Sequence, residues 1–187
     1  MKELAERGVG GMGMGGHSLP NKGTTSDWLT PLDLLVQLGT FDLDPCAAPL
    51  PRPWNTARHH ITLPDDGLAA EWEGRVWLNP PYGQETAGWM ERLAAHGTGT
   101  ALIFARTETE CWRRFVWPSA TAILFLEGRL FFHWPSGTRA PHNAGAPSAL
   151  VAYGLADANI LRLSQIAGGL VKVDRRRRIT ARARRPR

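Results

Sequence analysis

Apolar segments of strand length alternate with segments of helical spacing through the middle of the chain, and this alternation most constrains the fold. Short apolar runs at 75–78, 100–105 and 121–126 predict strands, whereas 85–95 and 108–117 predict helices. Strands separated by helices usually pair in parallel, so the pattern predicts an α/β fold with a mostly parallel sheet. The length of 187 residues suits one domain with a core and is too short for two ordinary ones.

The segment before this region predicts one more helix and one more short strand. Thr30 is expected to N-cap the helix, with Pro31 at its first helical position and apolar residues following at helical spacing. Residues 41–44 are expected to form the strand.

The end of the apolar region has a different pattern. Residues 129–134 and 148–154 predict two strands joined by a Pro- and Gly-rich loop, and 157–167 predict a final helix. We therefore expect an antiparallel hairpin at one edge of the sheet.

The two ends of the chain differ in composition from its middle. Residues 1–25 are rich in Gly and Met with few large apolar groups, which predicts a flexible arm before a folded domain at 26–173. Residues 174–187 contain eight arginines and predict a disordered tail. Without those eight, 14 Lys and Arg stand against 17 Asp and Glu, so the net charge of +5 comes from the tail. The tail is either a solvated terminus or an anchor for phosphates.

Cysteine content and hydropathy exclude several classes of protein. Cys46 and Cys111 are the only cysteines, too few for a disulfide scaffold or a thiolate zinc site, so we expect reduced thiols and no metal. No apolar run approaches the roughly 20 residues of a membrane span, and no secretory signal is recognisable. We expect a cytoplasmic protein with no membrane role, and no obligate protein partner is evident from the sequence.

The most specific motif is Asn79-Pro80-Pro81-Tyr82, which directly follows the apolar run 76–78. Two prolines are sufficient to end a strand, but that role requires neither the Asn before them nor the Tyr after them. Ligands of parallel sheets bind at the carboxyl ends of the strands. The motif therefore predicts a functional site at this edge of the sheet.

These residues resemble the amino-methyltransferase superfamily, whose Asn/Asp-Pro-Pro-Tyr motif lies at a strand end that faces the methyl donor. From roughly Asp27 to Gly154 the chain is similar to the phage-type, Dam-like DNA N6-adenine methyltransferases. The likeness rests on WLTP at 28–31, FDLDPCA at 41–47, DGL at 66–68, VWLNPPY at 76–82, EGRL at 127–130, and Trp72, Trp89 and Phe132.

The resemblance implies a Rossmann-like methyltransferase domain, S-adenosylmethionine as cofactor without a metal, and double-stranded DNA as substrate. It also implies a phage- or prophage-encoded protein that acts in the cytoplasm of a bacterial host. The chain lacks the Phe-x-Gly-x-Gly loop of the broader superfamily, in whose place stands Asp44-Pro45-Cys46-Ala47-Ala48. Only about 35 residues separate Asp44 from Asn79, so we expect part of the standard fold to be trimmed.

Asn79, Pro80 and Tyr82 are the expected catalytic residues. The amine of adenine is a poor nucleophile, because its lone pair is delocalised into the ring. The Asn79 side-chain oxygen and the Pro80 carbonyl can accept hydrogen bonds from its two N–H groups and help it toward tetrahedral geometry. Tyr82 offers a flat face to the extruded base, a contact worth about 1–3 kcal/mol. Neutral Asn79 aligns the amine and does not remove its proton.

By the resemblance, Thr30 and Pro31 lie near the carboxylate of the donor, and the turn after Asp44 lies under its methionine and ribose portions. Asp66, in preference to Asp65, is expected to bind the ribose hydroxyls. Thr30 and Pro31 are also explained by helix capping alone. The residues expected to bind the donor are Trp28, Thr30, Pro31, Asp44, Pro45, Cys46 and Asp66.

No separate recognition domain is visible, so the loop after 129–134 is the candidate for reading DNA, although it could also be an exposed turn without function. The residues expected to contact nucleic acid are Pro81, Trp134, Arg139, Asn143, Arg175, Arg176, Arg177 and Arg178. Of the eight tryptophans, Trp77, Trp89 and Trp112 are expected to be mainly structural.

Two alternative functions stay open. The same motif serves methylation of RNA guanine and of protein glutamine, because their NH2 groups present similar geometry. A non-catalytic nucleic-acid-binding protein with a degenerate donor site is also compatible with the basic tail and the tryptophans.

Overall fold

One seven-stranded sheet organises residues 28–174, the part of the chain that the computed structural model describes. Its strands are β1 (Leu43–Asp44), β2 (His59–His60), β3 (Val76–Leu78), β4 (Gly99–Phe104), β5 (Ala122–Leu126), β6 (Ser148–Tyr153) and β7 (Gly168–Lys172). The helices are α1 (Leu32–Leu38), α2 (Thr86–His96) and α3 (Leu155–Leu163), with a π-helix at Trp112–Val116. The spatial order of the strands is β2-β1-β3-β4-β6-β5-β7.

The sheet is parallel in one half and antiparallel in the other. β2, β1, β3 and β4 are neighbours that pair in parallel. β6 runs antiparallel to both of its neighbours, β4 and β5, and β7 pairs antiparallel with β5. The predicted α/β class is thus confirmed, but the expectation of a mostly parallel sheet was wrong, because β6 and β7 enter the sheet antiparallel to their neighbours and only the half from β2 to β4 is parallel. The connections 45–58 and 61–75 between the first three strands contain no helix, so this half is built from short loops.

Side chains of alternating direction on the strands form two cores, one on each face of the sheet. In β3, Val76 and Leu78 face the core under α2 and the π-helix, whereas Trp77 faces the core under α1 and α3. The period of two continues in β4, β5 and β6, as expected for strands that are covered on both faces. Trp77, Trp89 and Trp112 are all buried in these cores, which confirms their structural assignment.

The prediction of a strand at 129–134 and of a hairpin with 148–154 at the sheet edge was wrong. In this segment only His133 makes bridges, to Leu29 and to Arg139. Pro135, Pro141 and Pro147 lack the N–H that a continuous ladder requires. β6 instead lies inside the sheet, between β4 and β5, and all six of its residues are buried. The edge position is taken by β7, a strand that was not predicted and whose five residues are all exposed.

The predicted cap of the first helix was also wrong. Pro31 is the N-cap residue of α1, and no side chain caps the helix. Leu29 pairs with His133 just before the helix, so Thr30 is drawn into the interior, where it is buried. The predicted final helix ends earlier than expected, at Leu163.

The expected arm at 1–25 and the arginines from Arg175 onward lie outside the described residues. Within residues 28–174, no helix has the length and apolar character to cross a membrane.

A buried ion pair between Arg75 and Asp157 connects α1 and α3 to the start of β3. Asp157 of α3 is fully buried and accepts hydrogen bonds from Arg75 Nε at 2.9 Å and from Thr100 Oγ1 at 2.7 Å. Arg75 Nη1 also donates to the carbonyl oxygens of Leu38 and Thr40, and the guanidinium lies 3.9 Å from the ring centroid of Phe41. The pair therefore fixes α1 and α3 against the start of β3.

Replacing Asp157 by Ala is expected to lower the free energy of unfolding by about 3–5 kcal/mol, because Arg75 would stay buried without its partner. Arg58→Ala removes the exposed ion pair with Asp42, and its expected effect is within about 1 kcal/mol. Urea denaturation of both variants measures the difference. Equal losses in the two variants would show that the buried pair has no special role.

Candidate active site

The carboxyl ends of β1, β3 and β4 bring the candidate site together at one edge of the sheet. Cys46, in the turn after β1, donates its S–H to the backbone oxygen of Asn79 after β3 at 3.4 Å. The ring of Tyr82 stacks on Phe104, the last residue of β4, with centroids 4.1 Å apart and an interplanar angle of 8°. The predicted catalytic motif thus lies against the predicted donor turn.

Both polar atoms of the Asn79 side chain make hydrogen bonds. Asn79 Nδ2 donates to the backbone oxygen of Trp28 at 3.3 Å, and Asn79 Oδ1 accepts from the hydroxyl of Tyr82 at 3.3 Å. A backbone carbonyl only accepts hydrogen bonds, so it selects the amide orientation in which nitrogen faces Trp28. The Asn79 oxygen is thereby directed to the Tyr82 side.

Pro81 of the motif is held by the first residue of the helix that follows. Thr86, the first residue of α2, donates its hydroxyl to the carbonyl of Pro81 at 2.7 Å and accepts from the backbone N–H of Gly83 at 3.2 Å. Pro80 is buried, and no described residue donates a hydrogen bond to its carbonyl. That oxygen is therefore available as an acceptor.

Tyr82 is half-buried and keeps its proton. Burial, with a smaller effect of neighbouring Cys46, raises the pKa of its hydroxyl. Phe104 covers one face of the ring, and Phe132 meets it edge-on at a centroid distance of 6.1 Å. Any flat ligand that stacks on Tyr82 must use the face opposite Phe104.

The turn after β1 is built around buried Asp44. Its carboxylate accepts a hydrogen bond from the backbone N–H of Cys46 at 3.2 Å and another from the hydroxyl of Thr56. Burial raises the pKa of Asp44 from 3.8 to about 6, against the lowering effect of these bonds and of Arg52. Burial, followed by the charge of Asp44, also raises the pKa of Cys46, so its thiol stays a donor.

His60 supports this turn from β2. Its Nε2 accepts hydrogen bonds from the backbone N–H groups of Thr56 and Ala57, each at 3.3 Å. Burial, then the charges of Arg52 and His59, lowers its pKa to about 4. The imidazole is therefore neutral at physiological pH and holds Thr56 next to Asp44.

Asp66 is brought to the same turn through its neighbour. A Cβ on Gly67 would lie 1.8 Å from the carbonyl oxygen of Pro45, so only glycine allows this approach of the two backbones. Asp66 itself is exposed, and its carboxylate accepts from the backbone N–H of Leu68 at 2.9 Å.

Thr30 follows Trp28, whose carbonyl contacts Asn79, in the segment that precedes α1. Thr30 is buried, and its hydroxyl oxygen has no hydrogen-bond partner among the described residues. Its backbone oxygen accepts from Trp54 Nε1 at 3.1 Å. A buried hydroxyl without a partner is costly, so this atom is a candidate for a ligand contact.

Only some of the residues expected to contact DNA lie near the candidate site. Trp134 packs on Trp28 with ring centroids 4.5 Å apart. The guanidinium of Arg139 lies 3.8 Å from the ring centroid of Phe131, in the wall of an open groove of about 930 Å³ beside α1. Pro81 and Asn143 are exposed, while the four consecutive arginines from Arg175 lie outside the described residues.

Comparison with known families assigns the chain. A family model described as "DNA N-6-adenine-methyltransferase (Dam)" matches residues 18–160, which is most of the sequence. The chain belongs to this family. Membership supports DNA adenine N6-methyltransferase activity, with S-adenosylmethionine as the methyl donor and DNA as the substrate. Searches of curated proteins and of solved structures returned no match.

Sequence reasoning on this Dam-family chain missed three supporting residues. Thr56 and His60 carry no motif, because their contacts with the Asp44 turn arise only when β1 and β2 pair. Phe104 could have been found, since it ends the predicted strand that neighbours the motif. For metals, the described part of the Dam-family chain contains no cluster of three or more His, Cys, Asp or Glu that could hold one.

Stability of this Dam-family chain should depend on Asp44 between pH 4 and 6. A folded-state pKa raised to about 6 means that the folded state binds the proton more tightly than the unfolded chain. The stabilisation is therefore complete below pH 3.8 and is lost as pH rises through about 6, by about 3 kcal/mol in total. Asp44→Asn should become more stable relative to wild type by most of that amount, about 2 kcal/mol, between pH 4 and pH 7.

Urea denaturation across this pH range measures the difference, with Asp65→Asn at an exposed position as the control. A difference between wild type and Asp44→Asn that does not vary with pH would contradict the assignment.

Proposed function

We propose that this chain methylates the N6 amino group of an adenine flipped out of double-stranded DNA, on a shortened Rossmann-like methyltransferase sheet. One observation carries the proposal. Trp28 and Tyr82 fix the orientation of the Asn79 amide, next to the Pro80 carbonyl, to which no described residue donates a hydrogen bond. The donor turn Asp44–Cys46 lies at the same edge of the sheet and contacts Asn79.

The residues around the Asp44 turn suit S-adenosylmethionine. The buried hydroxyl of Thr30 offers a hydrogen-bonding group to the donor carboxylate, and the exposed carboxylate of Asp66 offers acceptors to the ribose hydroxyls. The turn Asp44-Pro45-Cys46 contacts Asn79 through Cys46, and Trp28 contacts Asn79 from the segment before α1. Pro31, also assigned to the donor site by the resemblance, lines the groove beside α1. When bound, the donor supplies an electrophilic methyl group on its sulfonium.

The motif aligns the amine without acting as a base: the methyl group would pass from the sulfonium to the nitrogen, S-adenosylhomocysteine would leave, and the proton lost by the methylated nitrogen would go to solvent. Asn79 Oδ1 and the Pro80 carbonyl accept the two N–H groups of the adenine, which directs the nitrogen lone pair out of the ring plane. Asn79 Oδ1 already accepts from Tyr82, and an amide oxygen has a second lone pair for the substrate. Holding nitrogen and methyl carbon in line supplies the remaining acceleration.

Tyr82 presents its ring to the flipped base on the side opposite Phe104. Stacking on an aromatic side chain stabilises an unstacked base by about 1–3 kcal/mol. Phe104 and Phe132 hold the tyrosine ring in place, so little conformational entropy is lost when the base arrives.

Contacts with the duplex are assigned to the loop after β5 and to the C-terminal arginines. Arg139 and Arg129 are both exposed in or near the groove beside α1, and Asn143 is exposed in the same loop. Pro81 is exposed next to the catalytic motif, where it can border the flipped nucleotide. Arg175, Arg176, Arg177 and Arg178 supply sequence-independent contacts with phosphates.

Asn79→Ala is expected to abolish methyl transfer while donor affinity changes little, because the variant loses an acceptor that acts on the reacting amine. Tritium transfer from labelled donor into duplex DNA measures the rate, and calorimetry with S-adenosylhomocysteine measures binding. A variant that keeps more than about a tenth of the wild-type rate would contradict the role, since that loss is under about 1.4 kcal/mol. RNA and glutamine-containing protein in the same assay test the alternative substrates.

Arg139→Ala is expected to weaken binding of duplex DNA and to leave donor binding unchanged. The positive guanidinium is held on Phe131 and lies outside the donor turn. Fluorescence anisotropy with labelled duplex measures the dissociation constant at fixed salt. Unchanged DNA affinity would exclude Arg139 from the interface.

A further inference from the structure

The segment that precedes α1 is joined to the loop after β5 by a pair of backbone hydrogen bonds. Leu29 N–H donates to the carbonyl of His133 at 2.9 Å, and His133 N–H donates to the carbonyl of Leu29 at 3.0 Å. Residues adjacent to this bridge are Trp28 on one side and Phe132 and Trp134 on the other. The loop to which DNA contacts are assigned is therefore attached to the residue that holds Asn79.

Aromatic rings reinforce this attachment. Trp28 packs against Trp134 with ring centroids 4.5 Å apart and an interplanar angle of 37°. Phe132 is buried and contacts Trp28 at 6.5 Å and Tyr82 at 6.1 Å between ring centroids. Removing the Trp134 ring would take away the nearest ring partner of Trp28.

The position of the Trp28 carbonyl decides which way the Asn79 amide points. In the observed orientation Nδ2 donates to Trp28 and Oδ1 accepts from Tyr82. Turning the amide over would set its oxygen against the Trp28 carbonyl and direct its NH2 group to the amine of the substrate. An amide turned in this way cannot accept the hydrogen bond that the proposed reaction requires.

We infer that Trp134 is a positioning residue for methyl transfer: by packing on Trp28 it keeps the Trp28 carbonyl on Asn79 Nδ2, so that Asn79 Oδ1 faces the substrate amine. The inference rests on the proposed function and deepens it, because it gives a loop residue a role in the rate of the reaction. It also connects the loop that bears Arg139 to the Asn79 amide, through the contact of Trp134 with Trp28 and the hydrogen bond of Trp28 with Asn79.

The experiment compares Trp134→Ala with Trp134→Phe, which keeps an aromatic ring, and with Trp117→Ala. Trp117 is 38% exposed and contacts the ring of Trp112, so this control removes a tryptophan outside the path. At saturating duplex DNA and donor, kcat is expected to fall about tenfold in Trp134→Ala, to recover to within about threefold in Trp134→Phe, and to stay at the wild-type value in Trp117→Ala. Affinity for S-adenosylhomocysteine should stay within about twofold throughout.

A second measurement reports on the amide without requiring activity. The side-chain NH2 signals of Asn79 are assigned by their absence from the NMR spectrum of Asn79→Ala, and their hydrogen exchange is compared between wild type and the Trp134 variants. Faster exchange in Trp134→Ala and near wild-type exchange in Trp134→Phe support the inference. If Trp134→Ala does not fold, Trp134→Leu replaces it under the same criteria.

Two results would overturn the inference. One is an unchanged kcat with weaker DNA binding in Trp134→Ala, which would make Trp134 a DNA contact only. The other is an Asn79 amide that exchanges equally in wild type and in the alanine variant. Failure of the wild-type protein to methylate adenine in DNA would instead overturn the proposed function, whatever the exchange of the amide shows.

Discussion

Parallel pairing of β1 with β3 and of β3 with β4 is the constraint on which the candidate site depends. Because parallel strands end at the same edge, this pairing places the Asp44 turn, the Asn79 motif and Phe104 side by side although they are far apart in the chain. The buried pair of Arg75 and Asp157 fixes helices against the opposite end of the same strands. The edge that carries the candidate site can therefore consist of turns and loops without losing its geometry.

Burial determines the chemical character of the groups around Asn79. It raises the pKa of both Cys46 and Tyr82, so that thiol and hydroxyl keep their protons and act as hydrogen-bond donors. The backbone and side-chain oxygens of Asn79 accept from these two donors, and its nitrogen donates to Trp28. This polarity matches the proposed role of the site, in which hydrogen bonds orient the neutral amine of adenine without a strong base.

The interior position of β6 in the sheet explains the course of the loop that precedes it, residues 127–147. β6 is apolar on both faces and buried throughout, so it lies between β4 and β5 and leaves residues 127–147 to cross the edge of the sheet. The prolines of this loop exclude a regular ladder, and its single bridge to Leu29 brings Trp134 onto Trp28. The prediction of an edge hairpin formed by 129–134 and 148–154 was wrong because an uninterrupted apolar run such as 149–152 indicates an interior strand. The exposed β7, by contrast, has no apolar pattern that would have revealed it.

The sequence by itself determined the alternation of strands and helices, the strand that ends at Asn79, and the family resemblance that the family model confirms. These features depend on local patterns: periodicity of apolar residues, prolines after a strand and a short ordered motif. Only the tertiary structure decided the order of the strands and the contacts that orient Asn79. Thr56 and Trp134 have no local signature, because their partners Asp44 and Trp28 become neighbours only when distant segments of the chain pair. His60 bonds to nearby Thr56 and Ala57, but it comes beside Asp44 only through the pairing of β1 with β2.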